Sequence, residues 1–128
     1  MRPNILTVDD SKALRLFVQK ALGAFDCEVG ETSNGYNAFF AIERTRPDLI
    51  LLDVAMPVMD GVETLTRLKG AAELATIPVI MLPSPTDHAV LPRLVALGAA
   101  GILQKPFNEG ALVAAIGHVL KLKPANPS

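Results

Sequence analysis

Five short apolar runs alternate along the chain with longer stretches in which apolar residues return every three or four positions. "NILTV" (4–8), "CEVGE" (27–31), "LILL" (49–52), "IPVIML" (77–82) and "GILQ" (101–104) predict strands. The first, third and fourth lack polar alternation, as strands covered on both faces do. Between them, Leu14, Phe17, Val18, Ala21 and Leu22 form the apolar face of a helix that Ser11 caps and Gly23 ends. Ala38, Phe39 and Ile42 mark a second helix. Val62, Leu65 and Leu68 mark a third, after a turn at "MDG" (59–61). Asn108 opens a last one carrying Leu112, Ala115, Ile116, Val119 and Leu120. In "DHAVLPRLVALG" (87–98) Pro92 sits where a helical hydrogen bond belongs, so this fourth helix either starts late, with Pro92 in its first turn, or kinks there. Five successive strand–helix units predict an α/β fold, a doubly wound parallel (βα)5 sheet with helices on both faces. Residues 1–122 form the domain, and 123–128, in "KLKPANPS", read as a flexible tail or the start of a linker.

Composition narrows the class. The chain has 128 residues, half of them hydrophobic and a fifth charged, which suits one globular domain with its own core. Twelve Lys and Arg against thirteen Asp and Glu leave a net charge of -1, with no basic stripe for nucleic acid. "MRPNILTVDD" reaches two aspartates too soon for a signal peptide, and no apolar run approaches the ~20 residues that span a bilayer. The single cysteine, Cys27, builds neither a disulfide framework nor a zinc cluster and reads as a small buried hydrophobe. The expectation is a cytoplasmic domain. His88 and His118 are isolated and read as solvated side chains, and Met56 and Met59 as packing residues.

In a parallel sheet all carboxyl-terminal strand ends lie at one edge, where open α/β sheets bind ligands. Asp9 and Asp10 follow the first strand, Asp53 the third, Pro83 and Ser84 the fourth, and Lys105 the fifth. Two carboxylates ~4 Å apart repel by about 4 kcal/mol at an effective dielectric of 20. Either a raised pKa or a bound cation relieves this, and hard oxygen ligands favour Mg²⁺. Lys105 adds a point charge for an anion beside the metal. A carboxylate so equipped suits phosphoryl acceptance as an aspartyl-phosphate, and Asp53, alone after an apolar strand, is the nucleophile candidate. Singly these residues have plainer readings. An Asp at a strand end often just makes a turn or cap, an acidic pair before Ser11 favours a helix start, and Asp60 has no chemistry assigned. Their joint placement carries the reading.

"VDDS" (8–11), "LLDVAMPVMDG" (51–61) and "LQKPF" (103–107) together make the chain resemble, over nearly its whole length, the receiver domain of bacterial two-component response regulators. The resemblance implies the sheet order 2-1-3-4-5 and phosphorylation of Asp53 by a sensor histidine kinase or phosphotransfer protein. It implies Mg²⁺ held by Asp10, Asp53 and the backbone carbonyl of Ala55, with Asp9 acting through water, and Lys105 on the phosphoryl group. An output partner would dock on the helix 4–strand 5–helix 5 face, and both a monomer and a homodimer stay open. No nucleic acid or membrane contact is implied for these residues.

The sequence departs from the pattern at the switch. The family's Thr or Ser at the end of the fourth strand falls on Pro83, and its aromatic on the fifth strand falls on Ile102. Ser84 comes one residue late and contacts a phosphoryl group only if Pro83 and Pro85 reshape the loop. The positions that orient the hydrolytic water in the family hold Ala55 and Pro85, whose side chains form no hydrogen bonds. The expectations are a preset loop and slow self-dephosphorylation. The rival expectation is a degenerate receiver that binds partners without phosphate. A flavin-type small-molecule site ranks below both, because "VDDSK" puts carboxylates where phosphate would sit.

Overall fold

The computed structural model describes residues 2–125. Its elements run β1 (Asn4–Val8), α1 (Lys12–Leu22), β2 (Glu28–Thr32), α2 (Gly35–Arg44), β3 (Leu49–Asp53), α3 (Gly61–Gly70), β4 (Val79–Leu82), α4 (Leu91–Ala96), β5 (Gly101–Ile102) and α5 (Glu109–Gly117), with a 3₁₀ turn at Pro85–Val90 before α4. The strands form one parallel sheet in the order β2-β1-β3-β4-β5. This is the doubly wound topology that the alternation of strand and helix patterns predicts.

Two apolar layers cover the sheet, and side-chain alternation within each strand divides them. Ile50, Leu52, Val79 and Met81 face a core with Ala38, Ile42, Leu65, Leu68 and Leu94 of α2, α3 and α4. Leu49, Leu51, Ile80 and Leu82 face the other, with Val18, Leu22, Leu112 and Ile116 of α1 and α5. Every residue of β3 and β4 is buried, which explains their unbroken apolar runs. Helix starts follow local chemistry. The side chains of Ser11, Asn34, Asp60 and Asn108 accept from backbone N–H groups three residues on, capping α1, α2, α3 and α5.

Four strand boundaries differ from the sequence pattern: β2 sits one residue later, at Glu28–Thr32, β3 runs on to Asp53, and β4 and β5 are shorter. β4 begins at Val79 rather than 77, although the Pro78 carbonyl already accepts from Ile50. β5 ends at Ile102, yet the N–H groups of Leu103 and Lys105 still donate to the Met81 and Pro83 carbonyls, both at 2.8 Å. Of the two options for the fourth helix, the late start holds. The 3₁₀ turn takes up Pro85–Val90, and Pro92 lies in the first turn of α4, where a missing N–H costs no intrahelical bond. The beginning of the expected tail is tied down. The Lys123 carbonyl accepts from Asp26 (2.7 Å), Ala125 donates to the Ala24 carbonyl (2.9 Å), and Pro124 bridges Phe25. Residues 126–128 lie outside the described residues. Cys27 is buried with its thiol near the Leu22 carbonyl, and Met59 is buried, as read from the sequence; His88 and His118 are exposed. Among the described residues no helix is long and apolar enough to cross a membrane.

Candidate functional site

The acidic residues meet where β1 and β3 end side by side. Val8 pairs with Leu52, so the next residues of the two strands, Asp9 and Asp53, emerge together. Both are buried, Asp53 at 3% exposure and Asp9 at 0%, while Asp10 is exposed. One carboxylate oxygen from each of the three lies within 4.8 Å of the others. Lys105 reaches between two of them, with Nζ 2.7 Å from Asp9 Oδ2 and 3.0 Å from Asp53 Oδ1. The "KPF" segment holds it there: the Phe107 ring meets Phe17 of α1 edge-on at 5.9 Å, and the Lys105 N–H is bonded to Pro83.

Further bonds aim the carboxylates. Ser11 N–H donates to Asp9 Oδ1 (2.8 Å) and Val54 N–H to Asp53 Oδ1 (2.9 Å). Asp9 Oδ2, fully buried, has the ammonium beside it but no well-directed hydrogen bond among the described residues. With the Lys105 ammonium as its one neighbour, this buried oxygen keeps lone-pair capacity for a further positive partner or a water. Three carboxylates and one ammonium sum to −3 + 1 = −2, the charge a divalent ion neutralises. With three close oxygens, one exposed to solvent, the donor set fits Mg²⁺, which keeps several waters.

Burial pushes the Asp53 carboxyl up from its usual 3.8 to about 6. The Asp9 charge adds to the rise, and the Lys105 hydrogen bond, its charge and the Val54 N–H oppose it. For Lys105, burial favours the neutral amine, but hydrogen bonds and attraction from Asp9 and Asp53 outweigh it and raise the ammonium's pKa. The Asp53 rise fixes a sign for stability. Below pH 3.8 the group is protonated folded and unfolded. As pH climbs, the unfolded chain ionises first, so stability falls until the folded carboxyl ionises near 6. The gap corresponds to about 3 kcal/mol. Without metal, Asp53→Asn is therefore expected to melt above wild type at pH 7.5, with the difference vanishing near pH 4. Thermal unfolding in a chelator at both pH values checks this, and equal Tm values at pH 7.5 would contradict it.

The loop after β3 turns sharply beside the site. Met59 N–H donates to the Pro57 carbonyl (2.8 Å), closing a three-residue turn on Val58 at φ +70°. A β-branched residue is strained there, and Val58 is 79% exposed, so burial returns little. Val58→Gly is expected to stabilise the fold by about 1 kcal/mol, the relieved strain less the added freedom of the unfolded chain. Urea unfolding measures it, and a destabilised variant would contradict it.

The sequence pattern understated "MDG". Asp60 does cap α3, accepting from Glu63 N–H at 2.8 Å, and has no part in the acidic cluster. Gly61, however, lies against the backbone that carries Asp53. A Cβ there would come 2.0 Å from the Asp53 carbonyl oxygen, and its N–H donates to Val54 (2.7 Å). Only glycine lets α3 start this close, and a glycine after a capping Asp was the available signal. Of the remaining expected residues, Ala55 is exposed two positions past Asp53, Pro83 is buried, and Ile102 is 39% exposed at the sheet edge. β4 meets β5 through the carbonyls of Val79, Met81 and Pro83, so the proline removes a donor from that ladder but no acceptor. Ser84 is half-buried, and its backbone is engaged with Asp87: Ser84 N–H donates to Asp87 Oδ2 (2.8 Å), and Asp87 N–H to the Ser84 carbonyl (2.9 Å).

Comparison with known proteins agrees with this geometry. The family model described as "response regulator receiver domain" matches residues 5–117. The chain is 31% identical over 123 residues to Protein PilG of Pseudomonas aeruginosa, covering 95% of this chain and 91% of that protein. It is 38% identical over 121 residues to a protein-glutamate methylesterase/protein-glutamine glutaminase of Trichodesmium erythraeum, but spans only 34% of that protein's length. The structure of chemotaxis response regulator CheY4 of Vibrio cholerae superposes with a TM-score of 0.86 at 32% identity, over 94% of this chain and all of that one. With sheet order, acidic strand ends and these likenesses in accord, the chain belongs to the response regulator receiver domain family.

Proposed function

We propose that this chain is a phosphoacceptor, receiving a phosphoryl group on Asp53 from the phosphohistidine of a sensor histidine kinase or phosphotransfer protein. The observation that carries the reading is the Lys105 ammonium between the buried carboxylates of Asp9 and Asp53, beside the exposed Asp10. An Asp53 carboxylate oxygen attacks phosphorus, the P–N bond to the donor imidazole breaks with its electron pair going to that nitrogen, and an acyl phosphate forms. Asp10, Asp53 and the Ala55 carbonyl would hold Mg²⁺, with Asp9 assisting through water. The bound ion supplies neutralising charge for the phosphoryl oxygens. Lys105 exchanges its Asp53 contact for a phosphoryl oxygen and keeps Asp9, so its charge stays compensated throughout. Ser84 is the only hydroxyl in the Pro83–Pro85 segment that could add a contact.

The output surface in this reading is the α4–β5–α5 face, on which Val95 (62%) and Ile102 (39%) are exposed apolar residues. Pro83 favours a second reading, a phosphate-independent binding module, since it removes the hydroxyl that reports phosphorylation. Incubation with acetyl phosphate and Mg²⁺, read by intact mass, separates the two. The phosphoacceptor gains one phosphoryl group and Asp53→Asn gains none; an unmodified wild type supports the binding module.

A further inference from the structure

A residue outside the acidic set holds the turn that carries it. Arg15, near the start of α1, has a side chain only 14% exposed. Its Nη1 donates to the Asp9 carbonyl at 2.7 Å and its Nε to Glu31 Oε1 of β2 at 2.7 Å. Gln19, one helical turn on, donates to the Val29 carbonyl (3.0 Å) and to Glu31 Oε2 (3.4 Å), so the carboxylate that receives Arg15 is itself held. The Asp9 carbonyl belongs to the peptide that joins Asp9 to Asp10. Because that peptide is planar, fixing its oxygen fixes the orientation from which both carboxylate side chains depart. Asp9 N–H bonded to Thr32 (3.1 Å) and Lys105 on the far side complete the frame.

We propose that Arg15 is a positioning residue for the cation seat, orienting the Asp9–Asp10 peptide through its carbonyl; this rests on the metal-binding reading above. The sign of one measurement separates the roles open to it. A cation beside an acidic cluster repels a second cation, so if Arg15 acted by charge alone its removal would tighten Mg²⁺ binding. If it only joined α1 to β2, its loss would lower Tm and leave Mg²⁺ affinity unchanged. A positioning residue weakens affinity when removed, despite the electrostatic gain.

The test is calorimetric titration of Mg²⁺ into the full chain as wild type, Arg15→Met and Arg15→Lys, with thermal unfolding in chelator alongside. Arg15→Met is expected to raise the Mg²⁺ Kd roughly tenfold, the scale of losing a group that orients a ligand. Arg15→Lys keeps the charge but not the fork that serves two acceptors, and is expected to recover only part of the loss. The metal-free Asp10 amide NMR signal should shift in both variants, because it shares the peptide whose carbonyl loses its donor. A folded variant with unchanged or tighter Mg²⁺ binding overturns the proposal; if Arg15→Met does not fold, Arg15→Lys decides by the same criterion. Wild type that takes up no Mg²⁺ overturns the metal reading itself, an outcome distinct from failure of Arg15's role alone.

Discussion

Once phosphorylated, the protein is expected to keep its phosphoryl group for hours when no phosphatase is present. Hydrolysis of an acyl phosphate needs a water aligned with phosphorus, and alignment is a matter of donors and acceptors placed around it. Here the two positions that serve that purpose in the family carry Ala55, which is exposed and apolar, and Pro85, the first residue of the 3₁₀ turn. Neither side chain can hold a water. Introducing polar groups as Ala55→Asn with Pro85→Gln is expected to shorten the lifetime by roughly 100-fold, the effect of bringing a reactant into line. The exchange should be mild for the fold, since both sites are exposed. After acetyl phosphate is removed, a time course of intact mass measures the decay. A wild-type half-life of seconds would contradict the account.

The second large effect concerns what phosphorylation changes. Beryllofluoride with Mg²⁺ is expected to move the NMR signals of the turns after β1, β3 and β5 while α4 responds only in part. A ligand shifts a two-state element by its differential affinity for the two states, and the hydroxyl that would supply the difference is missing at Pro83. A hydrogen bond to a charged group is worth about 1.5–3 kcal/mol, so its loss weakens the coupling by roughly 10- to 150-fold. The loop is also braced. Asp87 and Ser84 hold one another across the turn, Pro85 opens it, and Pro92 fixes the first turn of α4. Pro83→Thr with Ile102→Tyr should extend the response into α4. Complete displacement of α4 signals in the unaltered protein would sink this idea.

Strands buried on both faces were legible because Leu49–Leu52 and Val79–Leu82 hold no polar residue, and their carboxyl ends then had to meet. Convergence of Asp9, Asp53 and Lys105 follows from parallel topology before any side chain is placed. What stayed hidden depends on contacts between distant segments. Apolar periodicity has no term for Pro124 lying against Phe25, so "KLKPANPS" read as loose where its first part is pinned. The 3₁₀ turn was obscured because its last residues run straight into the apolar pattern of 87–98, while its start is set by Pro85 and by the bonds between Ser84 and Asp87. Arg15 carries no signal in the sequence, since its role is set by a backbone carbonyl and by Glu31 across the turn. The Lys105 position showed only half its chemistry in sequence. A charge for an arriving phosphate was expected, whereas in the resting site it already binds two carboxylates.

The central claim is that the pocket of Asp9, Asp10 and Asp53 is a divalent-cation seat through which Asp53 accepts phosphate. It is tested most directly by the magnesium dependence of acyl-phosphate formation, followed by intact mass with acetyl phosphate as donor, at a series of Mg²⁺ concentrations and in excess EDTA. The account predicts a single phosphoryl group whose rate of addition saturates with Mg²⁺, vanishes in EDTA, and is absent in Asp53→Asn. Labelling that persists in EDTA, or that survives Asp53→Asn, would contradict it.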